Sequence, residues 1–209
     1  MPVSGLDALA RLREGNQRFV AGVLGQDARP VHRRSGGLPT EQWPIAVVLG
    51  CSDARVPAEV IFDQGLGDLF VIRVAGNIVA PSQVGSVEFA VGRFDTRLVV
   101  VLGHTQCGAV RAALDEAGPT ASHSPALRSI VDRIRPSIET LLAIGMKEDD
   151  AGIWAQAVRA NVRASADHLR HGSALLEQLI HDGTLLVVGA EYSLETGEVE
   201  FFDGLPRQR

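Results

Sequence analysis

A four-residue phrase occurs twice in this chain, as Val47-Val48-Leu49-Gly50 and as Val100-Val101-Leu102-Gly103. Each is a short β-branched run that stops at glycine and opens into a polar turn, the pattern of a buried parallel strand delivering a loop at its carboxyl end. The residues that follow are Cys51 and His104, and Cys107 stands three positions beyond His104. Neighbouring strands run about 4.8 Å apart, and two ligands on one zinc, each bonded at about 2.0 to 2.3 Å, sit slightly closer than that to one another. Strands ending side by side would bring Cys51 and His104 to a shared metal. Cys107 would join them at the mouth of the next helix, whose positive end favours a thiolate.

The rest of the chain supports an α/β architecture. Apolar residues at helical spacing over Leu6–Val23 predict an amphipathic helix ahead of the sheet. Gly25–Pro44, rich in Pro, Gly and Arg, reads as an extended arm. Strands are expected at Ile45–Gly50, Leu69–Val74, Leu98–Leu102 and Leu185–Val188, with Val199–Phe202 as an antiparallel edge strand. Between them, helices are expected after Pro57 and over Ser82–Phe94, Cys107–Glu116, Leu127–Met146 and Trp154–Ile180, with a loop at Gly118–Pro125. Pro136 marks a kink or break in the fourth of these, and Gly183 a helix end. The predicted fold is a central four-stranded parallel sheet plus the antiparallel edge strand, flanked by helices. Such sheets bind ligands at the carboxyl ends of their strands. One domain is expected over 1–209, with 1–44 as N-terminal helix and arm and 45–209 as core.

Composition narrows the function classes. A net charge of -5, no basic block and few aromatics leave no electrostatic footprint for nucleic acid. No apolar run approaches the roughly 20 residues that span a bilayer, and the first 15 residues lack a signal-type apolar stretch. Two cysteines in 209 residues make no disulfide framework, which favours a reducing compartment and a cytoplasmic location.

Taken singly, Cys51 and Cys107 read equally well as small buried apolar side chains. A redox pair is disfavoured because the two are not in a Cys-x-x-Cys arrangement. Together with His104, at loops after strands, they favour zinc. Two thiolates and one imidazole leave a fourth position open, as catalytic zinc requires. Asp53 and Arg55 follow in Cys51-Ser52-Asp53-Ala54-Arg55. By spacing alone they are a surface ion pair or a turn. Beside an open metal, a carboxylate held by a guanidinium can orient a bound hydroxide, or swing in as a fourth, inhibitory ligand.

Cys51-Ser52-Asp53-Ala54-Arg55, Gly67-Asp68-x-Phe70-x-x-Arg73-x-Ala75-Gly76-Asn77 and Gly103-His104-x-x-Cys107-Gly108-Ala109 together resemble the β-class carbonic anhydrases. Gly15-Asn16-Gln17-Arg18-Phe19 and the Tyr192-x-Leu194-x-Thr196-Gly197-x-Val199 ending fit the same family. The resemblance implies reversible hydration of CO2 to bicarbonate and a proton by zinc-bound hydroxide, with Zn2+ at Cys51, His104 and Cys107. Two thiolates supply more negative charge than imidazoles, so a less acidic zinc water and a rate rising into the alkaline range are expected. By position, Gln42 matches a glutamine that reaches the substrate across a subunit boundary. Phe70, Ala75 and Phe89 match an apolar wall, and the Gly108 amide a backbone donor. Phe89 stands where tyrosine is common. The resemblance also implies a homodimer or homotetramer whose N-terminal helix wraps the partner and whose site lies at the interface.

Members regulated by bicarbonate carry Trp three residues before the first zinc cysteine, where this chain has Val48, although Arg73 and Tyr192 match the rest of that site. The expectation is no such bicarbonate site and Asp53 off the metal. His32, His123, His168, His171 and His181 belong to no motif. Two rival readings are a relative hydrolysing carbon disulfide or carbonyl sulfide, and a non-catalytic zinc scaffold or bicarbonate-binding module. The Asp53–Arg55 dyad disfavours the second rival, because a structural metal has no use for it.

Overall fold

The computed structural model describes residues 3–23, 41–115, 124–143 and 151–206. The arm expected over Gly25–Pro44 lies outside them except for its last residues, as do most of the Gly118–Pro125 loop, the end of the Leu127–Met146 helix, His32 and His123.

Five strands form one sheet: β1 (Ala46–Gly50), β2 (Leu69–Arg73), β3 (Leu98–His104), β4 (Leu186–Tyr192) and β5 (Val199–Asp203). Their spatial order is β2-β1-β3-β4-β5. The first four are parallel, and β5 runs antiparallel at the edge. That is the sheet the sequence predicts. β1 and β3, both interior strands, are buried along their whole length, which is why they read as unbroken apolar runs.

The repeated phrase is out of phase in space. Val47 pairs with Val99 and Leu49 with Val101, so the second copy is displaced by one residue. Because side chains alternate across a sheet, equivalent residues of the two copies face opposite ways. Val48, Val100 and Leu102 pack on one face against α1 (Gly5–Val20) and α2 (Ala58–Ile61). Val47, Leu49, Val99 and Val101 pack on the other against α3 (Pro81–Phe94), α6 (Ala151–His171) and α7 (Ala174–His181). A third apolar cluster covers the carboxyl ends of the strands, where α4 (Gly108–Asp115), α5 (Pro125–Ala143) and the first half of α6 close around Cys51 and Cys107.

α6 lies close against the sheet because two glycines make room for it. A Cβ at Gly103 would stand 2.4 Å from Val162 Cγ2, and one at Gly189 2.9 Å from Val162 Cγ1. Val162 thus seats in a notch between β3 and β4, one residue before His104.

Local departures from the sequence reading have physical causes. Trp154–Ile180 is two helices, α6 and α7, because Gly172 is followed by Ser173 in an extended conformation, whose hydroxyl accepts from the Leu176 amide and caps α7. α5 continues through Pro136 without a break. β3 and β4 run on to His104 and Tyr192, each pairing through a glycine that local propensity disfavours in a strand. Cys107 precedes α4 rather than lying in it.

Candidate metal centre

Cys51 follows β1 directly, His104 closes β3, and a turn with left-handed Gln106 (φ 58°) returns the chain so that Cys107 faces them. The ligand atoms of these three residues lie within 4.8 Å of one another, and all three residues are buried. The two sulfurs are 4.0 Å apart, far beyond the roughly 2.05 Å of a disulfide. Two thiolates on a tetrahedral zinc would stand about 3.8 Å apart, given Zn–S bonds of about 2.3 Å.

His104 is oriented for a metal. Its Nδ1 lies 2.9 Å from the Thr105 carbonyl, which can only accept, so Nδ1 carries the proton and Nε2 presents a lone pair. Nε2 is buried and finds no hydrogen-bond partner among the described residues. A buried polar atom without a partner is costly. Two sulfurs converging on the same point satisfy the soft, nitrogen-and-sulfur preference of zinc. The donor set therefore fits the ion.

The two thiols share their protons unequally. The neighbouring Cys107 thiol lowers the Cys51 pKa to about 4 against the opposing effect of burial, helped by His104 and by the Gly76 and Asp53 amides. Cys107 is pushed up, first by its contact with Cys51 and then by burial, although the Ala109 and Val110 amides at the start of α4 oppose the rise. One proton is thus held between two sulfurs, and a divalent cation taking both would expel it.

Asp53 lies at the edge of this cluster, its Oδ2 3.9 Å from His104 Nε2 and too far to bond it. Both carboxylate oxygens are taken by Arg55: Nε donates to Oδ1 at 2.9 Å, a terminal nitrogen to Oδ2 at 2.7 Å, and the Arg55 amide to Oδ1 at 3.0 Å. This fork holds the Asp53 carboxyl well below the usual carboxylate range, chiefly through the guanidinium hydrogen bonds. Arg73 donates to the Cys51 and Asp53 carbonyls and so holds the loop from the far side.

Of the pocket residues carried by the resemblance, Ala75 and Gly108 are adjacent to this centre. Ala75 precedes Gly76, whose amide donates to Cys51 Sγ at 3.3 Å, and Gly108 follows Cys107. Gln42, Phe70 and Phe89 are elsewhere. Gln42 packs beside Gly67, before β1 and β2 begin. Phe70 pairs with Val47, four residues short of Cys51, about 13 Å down the strand at 3.3 Å per residue. Phe89 is 56% exposed on α3 and meets Phe94 edge-on at 5.8 Å and Phe70 at 6.2 Å. Trp43 is likewise 71% exposed.

Two contacts around the centre carried no sequence signal. Trp154 Nε1 donates to the Cys107 carbonyl at 3.1 Å, and Asn161 Nδ2 to the Gly76 carbonyl at 2.8 Å. Both residues are on α6, remote in sequence from their partners. Backbone carbonyls as acceptors leave no trace in residue type.

A family model described as carbonic anhydrase matches residues 46–199. Carbonic anhydrase 2 of Mycobacterium tuberculosis is 38% identical over 192 residues, covering 92% of this chain and 90% of that protein. A carbonic anhydrase of Mycolicibacterium smegmatis is 41% identical over 189 residues, covering 90% and 89%. A solved structure from work on two tetrameric β-carbonic anhydrases of Sordaria macrospora superposes with a TM-score of 0.67 at 25% identity, covering 77% of this chain and 81% of that one. Metal-ligand geometry, sequence and fold agree, and the chain belongs to the β-carbonic anhydrase family.

Proposed function

We propose that this chain hydrates CO2 reversibly to bicarbonate and a proton, using zinc held by Cys51, His104 and Cys107. The observation that carries the reading is the buried Nε2 of His104, without a hydrogen-bond partner among the described residues, converging with two sulfurs beside a carboxylate locked by Arg55. Zinc there would supply Lewis acidity, making water a nucleophile far below its bulk pKa and more fully as pH rises into the alkaline range.

The chain's own residues do the rest. Asp53, kept ionised by Arg55, accepts a hydrogen bond from the attacking water and aims its lone pair. Its two oxygens are already engaged by the guanidinium, which favours a carboxylate off the metal and an open fourth position. The Gly108 amide, beside Cys107, is the donor assigned to the oxygen that gains charge as CO2 bends. Ala75 contributes apolar wall, suited to a substrate without a net dipole.

Gln42, Phe70 and Phe89 lie too far along the sheet to serve the centre of their own chain. We assign them to the centre of a second copy, which makes a homodimer the smallest complete unit; a tetramer would pair two of these. Exposed Phe89, backed by the half-buried Phe70 and Phe94, suits such a contact. We further propose a single catalytic domain, since the described residues from 45 onward pack on one sheet. A cytoplasmic location is proposed from the two free thiols. No helix among the described residues is long and apolar enough to cross a membrane. Val48 is buried in β1, so bicarbonate regulation through a tryptophan at that position is not part of the proposal.

Stopped-flow CO2 hydration by zinc-loaded protein, compared with Asp53→Ala, tests the assignment. Rapid hydration that falls by roughly 100-fold in the variant, the scale of loss when a reacting group is mispositioned, supports it. A zinc-loaded protein that does not hydrate CO2 overturns it.

A further inference from the structure

The Gly76 turn is the least self-sufficient piece of the centre. Gly76 and Asn77 adopt φ values of 68° and 43° in succession, both in the left-handed region. A Cβ at Gly76 would stand 2.8 Å from Ile134 Cδ1 and 3.1 Å from Ala109 Cβ, so α5 and α4 close tightly on this residue. Glycine adopts this region freely and asparagine at modest cost, so the setting of the turn depends on what packs and bonds against it. What the turn delivers is one amide, Gly76 N–H, aimed at Cys51 Sγ at 3.3 Å.

α6 provides the hold. Asn161, 1% exposed, donates Nδ2–H to the Gly76 carbonyl at 2.8 Å. Trp154, seven residues earlier and so two turns back on the same helical face, donates to the Cys107 carbonyl at 3.1 Å. Between them Val158 packs near Gly103, and Val162, just beyond Asn161, fills the Gly103–Gly189 notch. One helix face therefore touches the segments bearing His104 and Cys107 and the Gly76 turn that bonds the Cys51 sulfur, and its height above the sheet is set by the notch.

We propose that Asn161 is a positioning residue of the metal centre: its amide holds the Gly76 turn in the setting from which the Gly76 N–H donates to the Cys51 sulfur. An N–H directed at a metal-bound thiolate draws electron density from the sulfur and fixes its direction. Asn161 thereby tunes a ligand it does not touch. The inference rests on the zinc assignment above, and its test does not use CO2.

The variant is Asn161→Leu, similar in size and without a donor. In cobalt-substituted protein the sulfur-to-metal charge-transfer band is expected to move to lower energy, because an unbonded thiolate is the better donor. Zinc affinity in chelator competition is expected to fall by about 10-fold or more, the usual effect of removing a group that orients a ligand. In cadmium-113 protein, scalar coupling between the metal and the Gly76 amide proton is expected in the wild type and lost in the variant. Trp154→Phe, which deletes only the indole donor, should retain that coupling. If Asn161→Leu does not fold, Asn161→Ala removes the donor without adding bulk or charge and is read the same way. Wild-type protein without the coupling overturns the proposal. So does a folded variant with unchanged charge-transfer energy and metal affinity.

Discussion

Gly103→Ala is a single methyl placed where the structure has no room for it. The added Cβ would lie 2.4 Å from Val162 Cγ2 and 3.4 Å from Val158 Cγ1, whereas carbon atoms rest at about 3.5 to 4.0 Å. Val162 cannot turn aside. Its other methyl faces Gly189 at a distance that leaves no space for a side chain there, and a valine in a helix has one strongly preferred rotamer. Relief must come from lifting α6 or bending β3. Overpacking of this kind costs about 1 to 3 kcal/mol. Val162→Ala alone, removing two buried methyls, costs about 1 to 3 kcal/mol. The double variant places the new methyl in the space that Val162 vacates, so its loss is expected to fall short of the sum by about 1 to 2 kcal/mol. Urea unfolding of the four proteins measures the cycle. Strict additivity, or a Gly103→Ala change below about 0.5 kcal/mol, the range of ordinary surface substitutions, would refute the notch.

Four further outcomes follow from the centre and its surroundings. Zinc uptake at neutral pH should release about one proton from the Cys51–Cys107 pair, read as a buffer-dependent calorimetric enthalpy; no release would mean that the thiols do not share a proton. Hydration should rise with pH into the alkaline range, and a rate flat from neutral upward would contradict the two-thiolate argument. On the acid side the sign is set by Asp53: Arg55 depresses its folded pKa, so the stability from this pair is present above the unfolded carboxylate value of about 3.9 and is lost only as pH falls through the depressed one. A carbon-13 titration of Asp53 near its ordinary value would count against the dyad. Phe89→Asp should lower the mass in light scattering and the activity while zinc is retained, whereas an unchanged assembly would remove the aromatic group from the interface.

The sequence carried the parallel sheet, its antiparallel edge and the meeting of Cys51, His104 and Cys107, because each rests on a local signal: a β-branched run, a glycine stop, a ligand type at the next position. It under-read β3 and β4, whose last residues include Gly103 and Gly189, poor strand formers held in place by pairing and by Val162. It fused α6 to α7, because apolar spacing continues past residue 172 and only the Gly172-Ser173 pair announces the break. Gln42 was expected to serve a partner's centre, whereas the placement of Phe70, and of Phe89 packed on it, away from their own metal centre required the register Val47–Phe70, which no single-chain pattern encodes. Asn161 was invisible for a related reason: it recognises a carbonyl, and every residue has one.

The one-residue displacement between the two copies of Val-Val-Leu-Gly has a practical corollary. Leu49, two residues ahead of Cys51, is anchored among α3, α6 and α7, whereas Leu102, two residues ahead of His104, is anchored among α1 and α2. The leucines that precede the sulfur and the imidazole are thus seated on opposite sides of a five-stranded wall. Repacking at Leu102 bears on the imidazole from the α1–α2 side, whereas α6 bears on both ligands because Val162 also seats beside Gly103, so a redesign of this centre can approach His104 from two directions where strands in phase would offer one.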